Sequence, residues 1–288
     1  MTQNNNLSVL PFYTDINQQN HRLSYAFGAI YPLFAPANFL LPFQIMRATR
    51  GNAISRVRLY DKNGALVQDI TQYMKDVGLQ IVRFPNLGYD IIVFPANFPL
   101  PTNMFDGVYY LTLSDGVQTW YSEMFTVVQD VKPYLKIEWW DAENFVFDSG
   151  QIIYQNPTFK NVLYLNTELG KPEYQFNEEV ETRDGYFFPE KQISEKTYKC
   201  TTLAPEFLCD VMRFIRMADY VRITDKYGRI YNVDSFLITP KWQTQGDLAS
   251  VEIEFETNTV AKKIGRGLIM QTKGDFNNDF NNDFNNQE

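Results

Sequence analysis

The pattern of apolar and polar residues is clearest between positions 202 and 257. Apolar residues three and four positions apart predict a helix over 204–218 whose buried face consists of Leu203, Phe207, Val211, Phe214, Ile215 and Ala218. Two runs rich in β-branched and aromatic residues, 220–224 and 229–238, flank an Asp-Lys-Tyr-Gly turn and predict a hairpin. The run 250–257 alternates apolar residues with glutamates, which predicts a strand. The whole stretch therefore predicts one helix followed by three strands.

Short runs of the same β-forming kind recur along the rest of the chain. Each run is bounded by Pro, Asn, Asp or Gly, which is typical of strands joined by turns. An imperfectly alternating run, 22–31, comes first. The runs 54–60 and 65–70 flank an Asp-Lys-Asn-Gly turn and predict a second hairpin. The next runs are 79–84, 89–94, 107–113 and 117–128. After a short polar segment with a proline, 129–133, the later runs are 135–140, 151–154, 161–166 and a long region, 174–188, that a polar loop at 178–185 interrupts.

This pattern predicts a mainly β protein with two β-sandwich or split-barrel units. The first unit, 1–133, has short strands at regular intervals, which is typical of an immunoglobulin-like or carbohydrate-binding-like sandwich. The second unit, 134–265, is expected to pack the long helix 204–218 on its sheet.

The segment 266–288 differs in kind, because the tetrapeptide Asp-Phe-Asn-Asn occurs three times in succession. One phenylalanine per repeat (Phe276, Phe280 and Phe284) buries too little apolar surface to offset the entropy of ordering, so we expect disorder in the free protein. The segment either solubilises the chain or docks its spaced phenylalanines in series on a partner.

Composition supports a β-rich fold and argues against several classes of function. Aromatic residues make up 16% of the 288 residues, which favours β structure. The net charge of −8 and the lack of clustered Lys and Arg predict no nucleic-acid surface. The chain start lacks a secretory signal, and no apolar run approaches the ~20 residues of a membrane span, so we expect cytoplasmic synthesis and no membrane span.

Catalytic, cofactor and metal motifs are absent from the sequence. His21 is the only histidine and stands in an Asn- and Gln-rich stretch, which favours a solvated surface residue. Cys200 and Cys209 are expected to be buried free thiols, because two cysteines make neither a disulfide framework nor a zinc ligand set. We therefore predict no enzyme, no cofactor and no bound metal.

Two kinds of residue leave a binding or catalytic alternative open. Glu138 and Asp141 could form the carboxylate pair that a glycosidase needs, although they also fit a strand end followed by an exposed turn. Aromatic side chains could stack on a sugar or a protein partner, or pack in the core and at sheet edges: Trp120, Tyr121, Trp139 and Trp140.

The run 250–257 places Glu252, Glu254 and Glu256 side by side on one face of a strand. Their mutual repulsion is tolerable in water or opposite cations, so an exposed face is the plain interpretation. The functional alternative is a ring of identical subunits whose lumen this acidic face lines, so that DNA slides past without binding.

The order of these runs resembles a known group of proteins. The succession Gly-Val-Tyr-Tyr-Leu-Thr-Leu-Ser-Asp-Gly at 107–116 through Trp-Tyr-Ser-Glu at 120–123, then the helix, hairpin and final strand of 205–257, is similar to tail-associated proteins of phages and prophages from gut Bacteroidetes. The second unit resembles the tail-tube and distal-tail (baseplate hub) group by order of elements over 134–260.

The resemblance implies a structural virion protein without catalytic residues. It implies a β-sandwich flanked by one helix that assembles into a ring through edge strands and helix packing, with other tail proteins as partners. In that group the ring domain usually comes first; here the ring-like unit is second, so the first unit would be an added domain that decorates the ring or binds a neighbouring protein or a host glycan. The alternative class is a carbohydrate-binding surface or adhesion protein.

Overall fold

The computed structural model describes residues 8–15, 33–48, 51–84, 88–95, 99–143, 145–148, 152–155, 159–183, 186–242, 248–257 and 261–264. These residues form a mainly β protein, as the sequence predicts. The strands of the first half are β1 Phe12–Tyr13, β2 Phe34–Pro36, β3 Phe43–Ala48, β4 Arg56–Asp61, β5 Leu66–Asp69, β6 Gln80–Phe84, β7 Tyr89–Phe94, β8 Gly107–Ser114, β9 Thr119–Ser122 and β10 Phe125–Val128.

The second half continues with β11 Leu135–Trp140, β12 Phe145–Asp148, β13 Ile152–Gln155, β14 Asn161–Leu165, β15 Glu173–Arg183, β16 Tyr186–Pro205, β17 Tyr220–Thr224, β18 Ile230–Trp242, β19 Leu248–Thr257 and β20 Ala261–Ile264. The α-helices are α1 Thr71–Val77 and α2 Glu206–Arg213, and a 3-10 turn, Ile215–Met217, follows α2.

The first half contains two sheets. One has seven strands: five follow the order β1-β9-β8-β10-β2, β4 also pairs with β8, and β5 pairs with β4. The second sheet has three strands in the order β3-β7-β6. The middle strand β7 is buried on both faces: Ile92 joins the main core, while Ile91 and Val93 pack with Phe159 from the second half. A strand covered on both faces explains why its sequence is a continuous apolar run.

The second half is built on an eight-stranded sheet in the order β14-β11-β17-β18-β19-β16-β15, with β20 also paired to β16. Along β19, Val251, Ile253 and Phe255 are buried while their neighbours are half-buried. The apolar side of the sheet packs against α2, and we call it the helix-side face. The opposite side, which carries the glutamates of β19, is the outer face.

The helix is shorter than predicted. It begins after Pro205, because a proline disfavours helical geometry in the residue before it, and Leu203 and Ala204 instead extend β16 opposite Ser250 and Ala249. Leu203 is consequently 58% exposed on the outer face rather than in the helix core. After Arg213 the α-helix ends and the 3-10 turn Ile215–Met217 follows. The range predicted as one helix, 204–218, therefore contains a short α-helix and a separate 3-10 turn.

Both predicted hairpins around Asp-Lys-x-Gly are present. Gly64 and Gly228 have φ of 82° and 76°, a region that glycine adopts without strain. The two turns also share hydrogen bonds: the Gly64 N–H donates to the Asp61 carbonyl at 3.0 Å, and the Gly228 N–H to the Asp225 carbonyl at 2.9 Å. Local turn chemistry therefore fixed these two elements.

Several predicted boundaries were wrong. The run 117–128 divides into β9 and β10, since Glu123 and Met124 break the ladder. Most of the predicted loop 178–185 is strand, because β15 and β16 form one long hairpin. Helix α1 and strands β3, β12 and β20 were not predicted. His21, the run 22–31 and the whole segment 266–288 with its phenylalanines lie outside the described residues.

No described strand of the first half pairs with a strand of the second half. The two halves nevertheless touch: Phe34 and Tyr134 lie with ring centroids 4.8 Å apart, and one hydrophobic cluster includes buried residues from both. The division at 129–133 into two folding units stays a prediction.

Candidate functional site

The acidic row occupies the middle of the outer face. Strand β19 lies between β16 and β18, and Glu252, Glu254 and Glu256 alternate with its buried residues. Lys241 Nζ donates a hydrogen bond to Glu252 Oε2 at 2.9 Å, and this contact lowers the pKa of that carboxyl. Lys199 Nζ lies 3.6 Å from Glu254 Oε2. Neighbouring cations thus offset the repulsion within the row, and the face is of mixed charge.

Three of the four predicted aromatic contact residues have other roles. Trp120 is 5% exposed and Trp139 is 2% exposed, and both belong to the hydrophobic core, so neither ring has a free face for a sugar. Tyr121 packs against the buried pair Tyr110 and Met124. Trp120 and Trp139 thus pack in the core, and Tyr121 is half-buried at its edge.

Trp140, the fourth, lies half-buried on the outer face near the β14 edge. Its ring is stacked on Tyr220, with centroids 5.4 Å apart and an interplanar angle of 19°. Lys160 Nζ lies 4.7 Å and Arg222 Cζ 5.1 Å from the centre of the indole. We call these four residues the Trp140 cluster. Two strand registers bring them together. In the pairing of β11 with β17, Trp140 is opposite Tyr220 and Glu138 is opposite Arg222. In the pairing of β11 with β14, Trp139 is opposite Asn161, which follows Lys160.

A cleft of about 230 Å³ adjoins the cluster. One wall is the outer face of β11 and β14, with Lys136, Glu138, Lys160 and Tyr164; the other is the first-half segment 36–42. Lys136 Nζ lies 2.8 Å from Glu138 Oε1, so these two charges offset each other. Burial, with a contribution from Glu138, raises the pKa of Tyr164 to about 12. The Tyr164 hydroxyl therefore stays protonated near neutral pH.

The predicted carboxylate pair has structural partners. The Asp219 backbone N–H donates to Asp141 Oδ1 at 3.0 Å, and the Ala142 backbone N–H donates to Asp219 Oδ2 at 2.9 Å. This reciprocal pair ties the end of β11 to the start of β17. Burial raises the pKa of Asp141. Glu138 is paired with Lys136 on the outer face. Both carboxylates therefore have partners within the protein, and the carboxylate pair stays a prediction.

A second groove runs beside α2, with a volume of about 570 Å³. Its apolar floor comes from Cys209, Ile238, Pro240 and Trp242, and Glu206, Asp210 and Arg213 form a charged rim. Trp242 is 48% exposed. The groove is therefore an apolar surface on the helix-side face, and charged side chains border it.

Cys200 and Cys209 are both buried free thiols, as predicted. Burial raises the pKa of Cys200 to about 12 and that of Cys209 to about 11. A thiol that stays protonated near neutral pH is a poor nucleophile, so neither cysteine has the environment of a catalytic residue.

The hairpin of β15 and β16 extends beyond the rest of the eight-stranded sheet. Strand β19 pairs with β16 over 197–205, whereas the distal part of β16 pairs only with β15 on one side and β20 on the other among the described strands. Near the base of this arm, Tyr174 and Phe176 are 59% and 68% exposed on the helix-side face. Large exposed aromatic side chains that lie together on one strand are typical of contact surfaces.

Three residues of the Trp140 cluster were not among the predicted contact residues: Lys160, Tyr220 and Arg222. Each is ordinary in its local sequence, and only strand pairing brings it to Trp140. The available signal was the alternation in β11, which places Trp140 on the polar face together with Lys136 and Glu138.

The described residues contain neither a membrane-spanning helix nor a metal-binding group of side chains. No helix among them has the length and apolar character needed to span a membrane. The same residues hold no group of three or more His, Cys, Asp or Glu side chains that could bind a metal ion. In comparisons with known proteins, no family model matches the chain, and no curated protein matches it significantly.

Proposed function

We propose that this protein is a structural subunit of a phage tail that assembles into a ring through the arm of β15 and β16. The observation that carries the proposal is the projecting arm, which ends the sheet with two strands, β15 and β20, that each have one unpaired edge among the described strands. Unpaired backbone N–H and C=O groups along an edge are a template for pairing with another chain.

The two edges differ in sequence charge. Strand β15 includes Glu178, Glu179 and Glu181, whereas β20 includes Lys262 and Lys263. An acidic edge repels a copy of itself, so symmetric pairing of β15 with β15 is disfavoured. Pairing of β15 in one copy with β20 in the next joins opposite charges. Such head-to-tail contacts close into a ring when the rotation between subunits permits it.

Strand pairing alone buries too little surface for a stable interface, which usually needs more than about 1,000 Å². The aromatic pair Tyr174 and Phe176 supplies further apolar area at the base of the arm. The groove beside α2 lies on the same face and adds a second surface, in keeping with assembly through edge strands and helix packing.

The first experiment measures the oligomeric state of the purified full chain by native mass spectrometry and negative-stain electron microscopy. We expect a ring of identical subunits whose population grows with concentration. The variant Tyr174→Ser/Phe176→Ser is expected to shift the protein towards monomer. Its matched control is Leu66→Ser/Val67→Ser, which removes two apolar side chains of 50% and 48% exposure from β5, a strand of the other large sheet.

A charge exchange tests the head-to-tail arrangement. Reversal of Lys262 and Lys263 to Glu should block assembly, and so should reversal of Glu178, Glu179 and Glu181 to Lys. In a mixture of the two variants, both junctions between unlike subunits join opposite charges, so mixing should restore assembly with the two variants in alternation. A protein that stays monomeric at high concentration, also when mixed with extracts of phage-producing cells, would contradict the proposal. Mass spectrometry of purified phage particles tests the tail assignment directly, since the chain should be present in them.

A further inference from the structure

Beyond assembly, we propose that the Trp140 cluster and its adjoining cleft bind an acidic saccharide, with the anionic group of the sugar held by Lys160 and Arg222. This inference does not depend on the ring, because every residue that it uses belongs to a single copy of the chain.

The charge balance of the cluster is the first argument. Among the described residues, the only carboxylate in the cleft wall is Glu138, and Lys136 already pairs with it at 2.8 Å. Lys160 and Arg222 have no carboxylate within ion-pair distance in the described part of the chain, although most charged groups of the outer face do. Two cations held near one indole thus create a local excess of positive charge on a chain of net charge −8.

The role of Trp140 follows from its contacts. Cations near an aromatic ring are attracted by its quadrupole, so the indole fixes the positions of Lys160 and Arg222. Trp140 is therefore a positioning residue. The direct sugar contact falls to Tyr220, which is stacked on Trp140 and remains 50% exposed. A half-exposed ring beside cations suits a pyranose that carries a carboxylate or sulfate.

The volume of the cleft limits the size of the group that can enter it. Its volume of about 230 Å³ is below the ~300–1,000 Å³ of pockets for drug-sized molecules, so it accepts one ring-sized group. Tyr164 contributes a hydroxyl that remains a hydrogen-bond donor, and Lys136 and Glu138 provide charged partners for sugar hydroxyls. Apolar side chains of the segment 36–42 close the other side.

A nucleic acid would use the same types of residue, but its affinity depends on neutralising many phosphates along the strand. The cluster offers two cations without a carboxylate partner among the described residues, and the row of Glu252, Glu254 and Glu256 lies further along the same sheet face. A short acidic saccharide therefore fits the surface better than a polyanion.

The test is a binding measurement on the full chain with a panel of uronate, sialate and sulfated oligosaccharides. Each acidic probe is paired with its neutral methyl ester or desulfated form. We expect at least one acidic probe to bind, its neutral form to bind at least tenfold more weakly, and added salt to reduce the affinity. Isothermal titration calorimetry gives the dissociation constants.

Variants assign the binding to the cluster. Lys160→Gln and Arg222→Gln should each weaken binding about tenfold, the value expected when a charge-assisted hydrogen bond is lost. Tyr220→Ala should weaken it, whereas Tyr220→Phe should preserve it. Lys241→Gln is the matched control, because it removes a cation from the same outer face away from the cleft. Circular dichroism and melting temperature establish that each variant is folded.

The outcomes separate clearly. The proposal is overturned if no acidic probe binds at millimolar concentration, if acid and ester bind equally, or if Lys160→Gln and Arg222→Gln leave the affinity unchanged. Selective binding of a single-stranded oligonucleotide with no binding of any saccharide would also overturn it and would assign the cluster to nucleic acid. A monomeric protein that binds acidic saccharides would leave this inference intact while contradicting the ring.

Discussion

The buried ion pair between Arg47 and Asp115 gives the sharpest prediction about stability. Arg47 Nη1 lies 3.3 Å from Asp115 Oδ2, and the two side chains are 6% and 7% exposed. Asp115 also accepts the backbone N–H groups of Val117 and Gln118 through Oδ1, while Arg47 donates to the carbonyl of Asn52. The pair therefore ties strand β3 and the following segment to the turn after β8.

Arg47→Met keeps much of the side-chain volume and removes the charge. Asp115 is then left buried with its backbone hydrogen bonds but without its cation. Breaking one side of a buried ion pair is strongly destabilising, by about 3–5 kcal/mol. We expect a value near 3 kcal/mol, because the two backbone N–H groups continue to stabilise the carboxylate. Domain stabilities are usually ~5–15 kcal/mol, so this loss is large.

Urea unfolding followed by circular dichroism measures the loss, and amide hydrogen exchange at Val117 and Gln118 locates it. The control is Arg58→Met, which breaks a pair of the same residue types in the same half: Arg58 Nε lies 3.0 Å from Asp69 Oδ2, with side chains 29% and 45% exposed. Solvent screens such a pair, so we expect no measurable change.

A double variant, Arg47→Met/Asp115→Asn, removes both charges and should recover part of the stability, since no buried charge is left without a partner. The reasoning is refuted if Arg47→Met destabilises the protein no more than Arg58→Met. It is also refuted if the double variant loses more free energy of unfolding than the two single variants lose together.

Three further predictions rest on buried groups. Cys200 and Cys209 should react with iodoacetamide at about pH 8 far more slowly in the folded than in the urea-unfolded protein, because burial raises both pKa values. Although burial opposes it, hydrogen bonding by Arg229 lowers the pKa of Asp225 below its ordinary 3.8. The resulting stability is present at neutral pH and is lost as the pH falls through the folded-state pKa, so Asp225→Asn should flatten the melting temperature against pH in the acid range. Phe255→Ala should cost about 3–5 kcal/mol in urea unfolding, since the ring is 1% exposed.

Local chemistry was sufficient to predict many elements of this fold. The alternation of Val251, Ile253 and Phe255 with glutamates defined β19 and its two faces, because side chains along a strand point to opposite sides. The Asp-Lys-x-Gly turns ending at Gly64 and Gly228 defined two hairpins, because glycine is suited to the positive φ that each turn needs. Both signals act within a few residues, and both were visible in the sequence.

Other features depended on contacts between distant residues. Leu203 fits the apolar spacing of the helix, yet its pairing with Ser250 places it in β16. Trp139 and Trp140 are adjacent and chemically alike, but Trp139 belongs to the core and Trp140 to a half-buried cluster with two cations. Lys160 and Arg222 become neighbours of Trp140 only because β11 pairs with β14 on one side and with β17 on the other. Periodicity and turn chemistry are local and can be read from the chain, whereas the choice of which faces meet depends on strand pairing, because pairing joins residues that are far apart in the chain.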